Sequence, residues 1–265
     1  IRRSSTRGRA MKKTFETVLW PALVVMVVLV IWHGLVRWTG NDLFPVPHEV
    51  LLGIGELARK GLLAKYIVAS LYRVTWGFLG AVAIGVPAGL LLGWFTPMFK
   101  AFNPLVQVLR PISPIAWIPL AILWFGVTDL STIFLIFLAS VFPIVVSTTS
   151  AVRNINPVYV RSARNFGLSR ARLFAQVILP AVLPQTVTGL RIALGIAWLV
   201  VVAAEMIAVN SGLGFLIIDA RNAGKRYDLV VAGMVLIGVL GLLLDLLIRR
   251  LERFDEVRWG YVEQN

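Results

Sequence analysis

The stretch that decides the fold is polar and lies between two long apolar segments: residues 156–180 are NPVYVRSARNFGLSRARLFAQVILP. Five arginines fall within it or just before it: Arg153, Arg161, Arg164, Arg170 and Arg172. Each flanking apolar segment is long enough to cross a bilayer, which takes about 20 residues. The stretch is therefore interpreted as a basic loop between two membrane spans.

Local signals predict helix, turn and helix inside this loop. Asn156 is a good N-cap, and Pro157 suits the first helical position, where a missing N–H costs nothing. Gly167 stands where a left-handed residue would end that helix. Ser169 can cap a second helix, which Pro180 is expected to stop.

Composition places the whole chain in a membrane. Hydrophobic residues make up 58% of the 265 residues and charged residues only 15%, which is far from the balance of soluble domains. The chain has no cysteine and only two histidines, so no metal cluster is expected. A net charge of +13 could indicate nucleic acid binding, but in so apolar a chain orientation in a bilayer explains it better. We expect no nucleic acid partner.

The pattern predicts an all-α protein with six transmembrane helices between two short polar segments. A basic N-terminal arm covers 1–18 and a polar C-terminal tail covers 249–265, around a transmembrane domain at 19–248 whose loop spans about 152–181. The spans are predicted at 19–38, 74–95, 105–127, 130–151, 182–208 and 229–248. Residues 49–65 are predicted to form an amphipathic helix on the outer face. Glycines at 77, 80, 85, 89 and 93 include spacings of four that permit close helix contact.

Basic residues predict the orientation. Six spans put both termini on one side, and with that side inside, the inner segments hold 17 Lys and Arg while the outer segments, including Arg73, hold 8. Such an excess marks the cytoplasmic side. Both termini and the 156–180 loop are therefore predicted to be cytoplasmic.

The loop resembles the coupling loop of permease subunits in bacterial ATP-binding-cassette (ABC) importers. That motif is Glu-Ala-Ala, three residues, Gly, nine residues, then Ile-x-Leu-Pro. The matching positions are Ala163, Gly167, Leu179 and Pro180, with Val177 in place of Ile. Arg161 stands at the Glu and Ser162 at the first Ala, so the motif departs at its acidic end.

The resemblance implies that this loop contacts an ATPase subunit. The residues it assigns to the contact are Arg161, Ser162, Ala163, Arg164, Phe166, Gly167, Leu168, Ser169, Leu179 and Pro180. The alternative is an ordinary basic loop that docks on nothing.

Other segments are similar to one group of these permeases, the importers of nitrate, sulfonates, taurine and bicarbonate. The segments are 70–78 (SLYRVTWGF), 109–120 (LRPISPIAWIPL) with 124–126 (WFG), and 203–207 (AAEMI) with 212–214 (GLG). Their order along the chain follows the group. The resemblance implies a type I importer permease fold, a second permease copy, two ATPase subunits that bind ATP and Mg²⁺, and a periplasmic substrate-binding protein. It also implies a bacterial inner membrane location, and neither a cofactor nor an enzymatic activity in this chain.

Polar residues in the spans are the candidates for a translocation path, because such groups usually face protein or water. The candidates are Ser113, Trp117, Ser147, Thr148, Arg191, Trp198 and Glu205. Arg191 could attract an anion, or snorkel or pair with a neighbour. Glu205 could pair with Arg221 or Arg226 as a gate, or be a structural hydrogen-bonded residue. A general acid–base or proton-relay role is the third interpretation, although the sequence offers no histidine or second carboxylate nearby.

Two further features complete the sequence analysis. Asp245 and Arg249 are predicted to form an i,i+4 ion pair, and three prolines at 111, 114 and 119 permit a bend in the third span. The chain lacks the phosphate-binding pattern Gly-x-x-x-x-Gly-Lys-Ser/Thr and any evident catalytic cluster. An ATP-independent secondary transporter or channel remains the alternative function.

Overall fold

The computed structural model describes residues 4–40 and 44–251, and every regular element in these ranges is helical. The helices are α1 (Ser4–Thr39), α2 (Pro47–Arg59), α3 (Leu62–Trp94), α4 (Thr96–Leu109), α5 (Ile118–Phe125), α6 (Asp129–Arg153), α7 (Pro157–Asn165), α8 (Arg170–Leu173), α9 (Leu179–Ala208), α10 (Leu213–Gly224) and α11 (Tyr227–Leu251). The first residues of the predicted N-terminal arm and nearly all of the predicted C-terminal tail lie outside the described residues.

Within the described ranges, five helices are long and apolar enough to cross a membrane. They are the part of α1 from Leu19, α3, α6, the continuous helix Arg170–Ala208, and α11. A sixth span is formed if Thr96–Leu109 and Pro114–Phe125 count together, although these two are bent by 85°. The prediction of an all-α polytopic fold is confirmed.

The third predicted span is not a single helix. Residues 105–127 include the end of α4, a short 3₁₀ turn at Pro114–Trp117 and α5. Pro111 and Pro114 fall at the break, because proline has no N–H to donate and its ring clashes with the preceding turn. The bend that the prolines were expected to permit lies here.

Two other sequence predictions need correction, and one helix was missed. The amphipathic helix does not run to residue 65: α2 ends at Arg59, and Gly61 adopts a left-handed conformation (φ 70°) before α3 begins at Leu62. Arg73 was assigned to an outer segment, but it lies in α3 with only 2% of its surface exposed. Helix α10 was not predicted, because its short run is neither span-length nor strongly periodic.

The closest packing in the bundle joins α3 to α6 through glycines. A Cβ at Gly77 would lie 2.7 Å from the Ile136 Cβ, and a Cβ at Gly89 would lie 2.6 Å from the Thr148 Cβ. Gly85 and Gly93 meet α6 in the same way. Real Cβ atoms do not approach so closely, so these positions require glycine. The predicted close helix contact is confirmed.

Helix α6 lies at the centre of the bundle. Half of its most apolar 18-residue window is buried, against none of the corresponding window of α1. On its other side α6 packs on α9, where the Ser147 side chain fills the space that a Cβ at Gly189 would need. Helix α11 packs on α9 through Trp198, which lies against Gly241.

The two ends of the bundle are distinguished by their loops. Helix α3 has 33 residues and so is about 50 Å long. At its C-terminal end, Trp94 contacts Phe174 of the 156–180 loop; we call this the loop end. At its N-terminal end lie α2 and the turn between α9 and α10; we call this the opposite end.

Candidate functional site: the 156–180 loop and the buried ion pair

Helix α7 is capped at both ends, as its sequence predicts. The Asn156 side chain accepts a hydrogen bond from the Val158 N–H (3.0 Å), and Pro157 takes the first helical position. At the other end Gly167 has φ 75°. The Gly167 N–H donates to the Arg164 carbonyl and the Leu168 N–H to the Ala163 carbonyl, at 2.9 and 3.2 Å. These two bonds form a Schellman motif, which fixes where the helix stops.

The second helix of the loop does not stop at Pro180. Ser169 caps its start, with the Oγ accepting from the Arg172 N–H at 3.5 Å. The helix then continues through a π-helical turn at Phe174–Ile178 into α9, so that Arg170–Ala208 is one continuous helix. The π turn ends two residues before Pro180, in the turn where the regular α-helical hydrogen-bond pattern would lose the proline donor and meet the proline ring. The expected stop is therefore replaced by a bulge.

The inner side of the loop is locked to the bundle. Leu173 and Ile178 are each 1% exposed. Ile178 packs with Val152 of α6 and Val182 of α9, and Val160 of α7 packs against the same group. The Trp94 ring of α3 meets the Phe174 ring edge-to-face at 5.8 Å. A displacement of the loop would consequently be transmitted to α3, α6 and α9 together.

The outer side of the loop is exposed, basic and partly apolar. Phe166 is 85% exposed and Val158 is 59% exposed. Most of the residues predicted to contact an ATPase are exposed or half-buried: Arg161, Ser162, Arg164, Phe166, Gly167, Leu168, Ser169, Leu179 and Pro180. Ala163 is the exception, because it is buried against the bundle. The structure thus divides the loop into an anchoring side and a free side.

A buried ion pair occupies the opposite end of the bundle. Arg73 of α3 donates through Nη1 to Glu205 Oε1 of α9 at 2.7 Å, and the Glu205 side chain has no exposed surface. Ser70 Oγ and the Gly214 N–H donate to the other carboxylate oxygen at 2.8 and 3.0 Å. Both oxygens of the Glu205 carboxylate are therefore hydrogen-bonded within the chain, as the structural interpretation of the sequence expects.

Arg73 also holds the neighbouring segments. Its Nη1 donates to the Ser211 carbonyl at 2.7 Å, and its Nε donates to Asp129 at the start of α6 at 2.8 Å. The guanidinium of Arg73 therefore links α3 to α6, to α9 and to the turn before α10. A planar group with five donors suits this role.

Two glycines make room for the Glu205 carboxylate. Gly212 has φ 108°, and a Cβ there would overlap the carboxylate itself. A Cβ at Gly214 would collide with the Val202 carbonyl. The three sequence segments 70–78, 203–207 and 212–214 thus meet at one place in the fold.

The suggested partners of Glu205 were wrong, because an arginine in α3 lies closer. Arg226 pairs instead with Glu56 of α2 (2.6 Å) and with Asp228 (2.7 Å). The hydrogen bonds that Arg226 and Lys60 donate lower the pKa of Glu56 to about 2, and the bonds that Arg226 donates to Asp228 and Glu56 raise the pKa of Arg226. The signal that could have identified Arg73 is its i,i+3 spacing from Ser70, which puts both on one face of α3.

A second ion pair lies within the spans. Arg191 Nε donates to Asp245 Oδ1 at 2.6 Å, joining α9 to α11. Arg249 donates to the other oxygen of Asp245 at 2.9 Å, so the predicted i,i+4 pair is confirmed. Arg191 therefore has a carboxylate partner in the chain itself, and its attraction for an anion stays a prediction.

The remaining path candidates have different neighbours in the described part of the chain. Ser113 is exposed in the turn before α5, and Trp117 is half-buried beside α6. Ser147 donates to the Gln185 carbonyl at 3.3 Å, and Trp198 donates to the Ile237 carbonyl at 3.0 Å. Thr148 is buried, and its Oγ1 has no hydrogen-bond partner among the described residues. Their role in a path stays a prediction.

A cavity of about 260 Å³ lies at the loop end of the bundle, between α4 and α6. Its polar lining consists of Asn103, Gln107, Thr149, Ser150, Arg153 and Asn154. The Arg153 guanidinium stacks 4.0 Å above the Phe99 ring at its edge. None of the path candidates named above lines it.

These features together define a class of protein. A bundle of apolar helices carries, between two spans, a capped helical hairpin with one anchored and one exposed side. That combination is typical of a polytopic membrane protein with one structured loop outside the bilayer.

The chain belongs to the family described as binding-protein-dependent transport system inner membrane component, whose sequence profile matches residues 81–254. It is accordingly a permease component of the ABC importer type and a multi-pass inner membrane protein.

Two curated relatives span nearly the same length. The nitrate import permease protein NrtB of Synechocystis is 38% identical over 245 residues, covering 89% of this chain and 88% of the relative. The taurine transport system permease protein TauC of Escherichia coli is 35% identical over 241 residues, covering 86% and 85%. Both are permease components rather than enzymes.

The fold also matches a solved transporter. A chain in the crystal structure of a bacterial alginate ABC transporter, in complex with an alginate pentasaccharide-bound periplasmic protein, superposes with a TM-score of 0.62. The match covers 91% of this chain and 96% of that one at 15% sequence identity. At this identity the likeness supports the fold alone.

Proposed function

We propose that two copies of this chain form the translocation path of an ABC importer for a small oxyanion or organic anion. Two partner ATPase subunits, which bind ATP and Mg²⁺, dock on residues 157–180, and a periplasmic binding protein delivers the substrate from the other side. The observation that carries the proposal is the two-sided loop, exposed outward and locked inward to α3, α6 and α9.

The geometry supports a simple transmission of motion. An ATPase that moves on binding nucleotide would push the capped α7 helix, whose ends are fixed by Asn156 and Gly167. Leu173, Ile178 and Phe174 would carry that displacement to the ends of three spans. Packed helices respond to such a push as rigid bodies that move between two arrangements.

The charge distribution supports a cytoplasmic position for the loop. Arg73 lies inside the bundle and no longer counts as an outer residue. The inner segments then hold 17 basic residues and the outer segments seven rather than eight. The same census puts both termini in the cytoplasm. Partner ATPases could reach the loop only there.

The substrate class rests on the relatives and on the sequence segments shared with their group. The relatives named above carry nitrate and taurine in their names. Nitrate, a sulfonate such as taurine, or bicarbonate is therefore the proposed cargo. We propose Ser113, Trp117, Ser147, Thr148, Arg191, Trp198 and Glu205 as candidates to form or support the path.

The test is co-purification of the full chain with candidate ATPase subunits, using Gly167→Arg and a matched control. Gly167 and Gly61 both have positive φ (75° and 70°), and at each of them a Cβ would have no neighbouring atom within 4 Å. Gly61→Arg therefore causes the same backbone strain at the opposite end of the bundle. Wild type and Gly61→Arg are expected to retain the ATPase, and Gly167→Arg to lose it.

The alternative function predicts a different result in this experiment. A secondary transporter or channel would purify without an ATPase and move solute into liposomes without ATP. That result would replace the importer proposal.

A further inference from the structure

The outward face of α7 has a defined composition. Successive residues of an α-helix turn by about 100°, so Val158, Arg161, Ser162 and Asn165 share the face opposite the buried Ala163. All four are exposed. Phe166 follows the helix and is exposed as well, but it lies about 140° around the helix axis from Arg161. Because the opposite face packs on the end of the bundle, this face points away from the spans.

The loop is basic without internal compensation. No Asp or Glu occurs between Asp129 and Glu205, and five arginines lie between 153 and 172. Arg153 stacks on Phe99. The side chains of Arg161, Arg164, Arg170 and Arg172 form no ion pair with any residue that the structure describes. Their charge is available to a partner.

The exposed side of the loop also carries apolar side chains. Phe166 is 85% exposed and Val158 is 59% exposed, at a part of the molecule outside the spans. Exposed aromatic and arginine side chains are together the composition found at the centres of protein interfaces. The combination favours a protein partner with a pocket over a lipid surface, because the face points away from the bundle end.

We propose that the ATPase partner presents an acidic groove with an apolar pocket to the exposed side of the loop, with a carboxylate opposite Arg161 and the pocket around Phe166. The inference rests on the proposed function and adds the chemistry of the partner. Arg161 stands where the motif has Glu, so the chain would select ATPase subunits by charge. A subunit whose groove is basic would be repelled.

The experiment measures the affinity of purified ATPase for the full chain in nanodiscs of neutral phosphatidylcholine, at low and high ionic strength. The variants are Arg161→Glu, Phe166→Ala and the control Arg59→Glu, which makes the same charge change at the exposed end of α2. Attraction between exposed charges is screened by salt. Wild-type Kd should therefore rise with ionic strength.

Arg161→Glu is expected to weaken binding about tenfold at low ionic strength and to flatten the salt dependence. Phe166→Ala should weaken binding at both ionic strengths, since apolar burial is not screened. Arg59→Glu should match wild type. Replacing the opposing ATPase carboxylate with lysine should restore the affinity of Arg161→Glu.

Failure of this inference differs from failure of the proposed function. If Gly167→Arg abolishes binding while Arg161→Glu keeps the wild-type Kd and salt dependence, the loop is the ATPase contact but the proposal of an acidic groove is wrong. If wild type binds no ATPase, the proposed function fails and the groove with it.

Two other occupants of the face would also overturn the acidic groove. In the first case, the wild-type chain binds vesicles more tightly as their anionic lipid content rises, and Arg161→Glu loses this binding while ATPase binding is unchanged. That result would assign the face to a membrane surface. The segment 252–265 contains Glu252, Asp255, Glu256 and Glu263. If neutralising these four in the full chain reproduces the loss of salt dependence, the tail occupies the face instead.

Discussion

Glu205 and Arg73 are 132 positions apart in the chain, yet they form the most deeply buried charged contact described in the bundle. Each charge is tolerable only because the other is present and the remaining polar atoms are hydrogen-bonded. Removing one member of such a pair leaves an uncompensated charge in an apolar interior, which costs more than the pair itself contributes. The pair therefore fixes the packing of three helices.

Replacing Glu205 with Gln is expected to lower the free energy of unfolding by about 3 kcal/mol, because the Arg73 charge loses its buried counter-charge. Asp129→Asn is the matched control, since Asp129 bonds the same arginine but has 54% of its side chain exposed. That control should cost at most about 1 kcal/mol. Denaturant titration in mixed micelles measures both, and equal losses would contradict a buried role for Glu205.

The Glu56–Arg226 contact gives a pH dependence with a definite sign. The folded pKa of Glu56 is about 2, below its ordinary value of 4.5, because Arg226 and Lys60 hydrogen-bond the ionised form. A carboxylate with a depressed pKa adds stability above its unfolded pKa, and this is lost as pH falls through the folded one. The stability difference between wild type and Glu56→Gln should be constant above about pH 5 and vanish towards pH 2. A difference that instead grows below pH 4.5 would contradict the assignment.

At the scale of the elements, the glycines of α3 make the sharpest prediction. A Cβ at Gly89 would lie 2.6 Å from the Thr148 Cβ, whereas one at Gly80 would lie 3.6 Å from the Phe137 ring. Gly89→Ala should therefore separate α3 from α6 and destabilise by about 1–3 kcal/mol. Gly80→Ala should be neutral or stabilising by up to about 1 kcal/mol, since alanine is the better helix former. Thermal unfolding in detergent compares them, and indistinguishable variants would show that the interface can relax.

Much of the element order could be predicted, because a bilayer requires long apolar helices and the caps of α7 are local signals. What failed depended on contacts between distant segments. The predicted end of the helix at Pro180 was wrong, because a π-helical turn before the proline lets the helix continue past it. The presence of a proline does not by itself indicate such a turn. The break at Gly61 was missed because apolar periodicity continues across it.

The candidate site was predicted unevenly for the same reason. The loop was found from its spacing and its caps, which are properties of neighbouring residues. The partner of Glu205 was not, since Arg73 looks like an ordinary flanking basic residue until α3 is placed beside α9. Only the spacing of Ser70 and Arg73 on one helical face hinted at a shared role.

At the scale of the whole molecule, we expect the chain to work as part of a larger assembly. None of the apolar window of α1 is buried in the described part of the chain, and none of the polar path candidates lines the cavity between α4 and α6. We therefore expect two copies of this 29.3 kDa chain in the assembled complex, together with two ATPase subunits. Native mass spectrometry of the purified complex measures the stoichiometry, and a single copy beside a different permease would contradict the homodimer.

The most direct test of the central claim is uptake of nitrate, taurine and bicarbonate into liposomes that contain the chain, its ATPase and its binding protein, with and without ATP. The account predicts ATP-dependent uptake of one of these anions by wild type and by Gly61→Arg, and its loss in Gly167→Arg although that variant still folds. Uptake that proceeds without ATP, or that survives Gly167→Arg unchanged, would contradict coupling through the 156–180 loop.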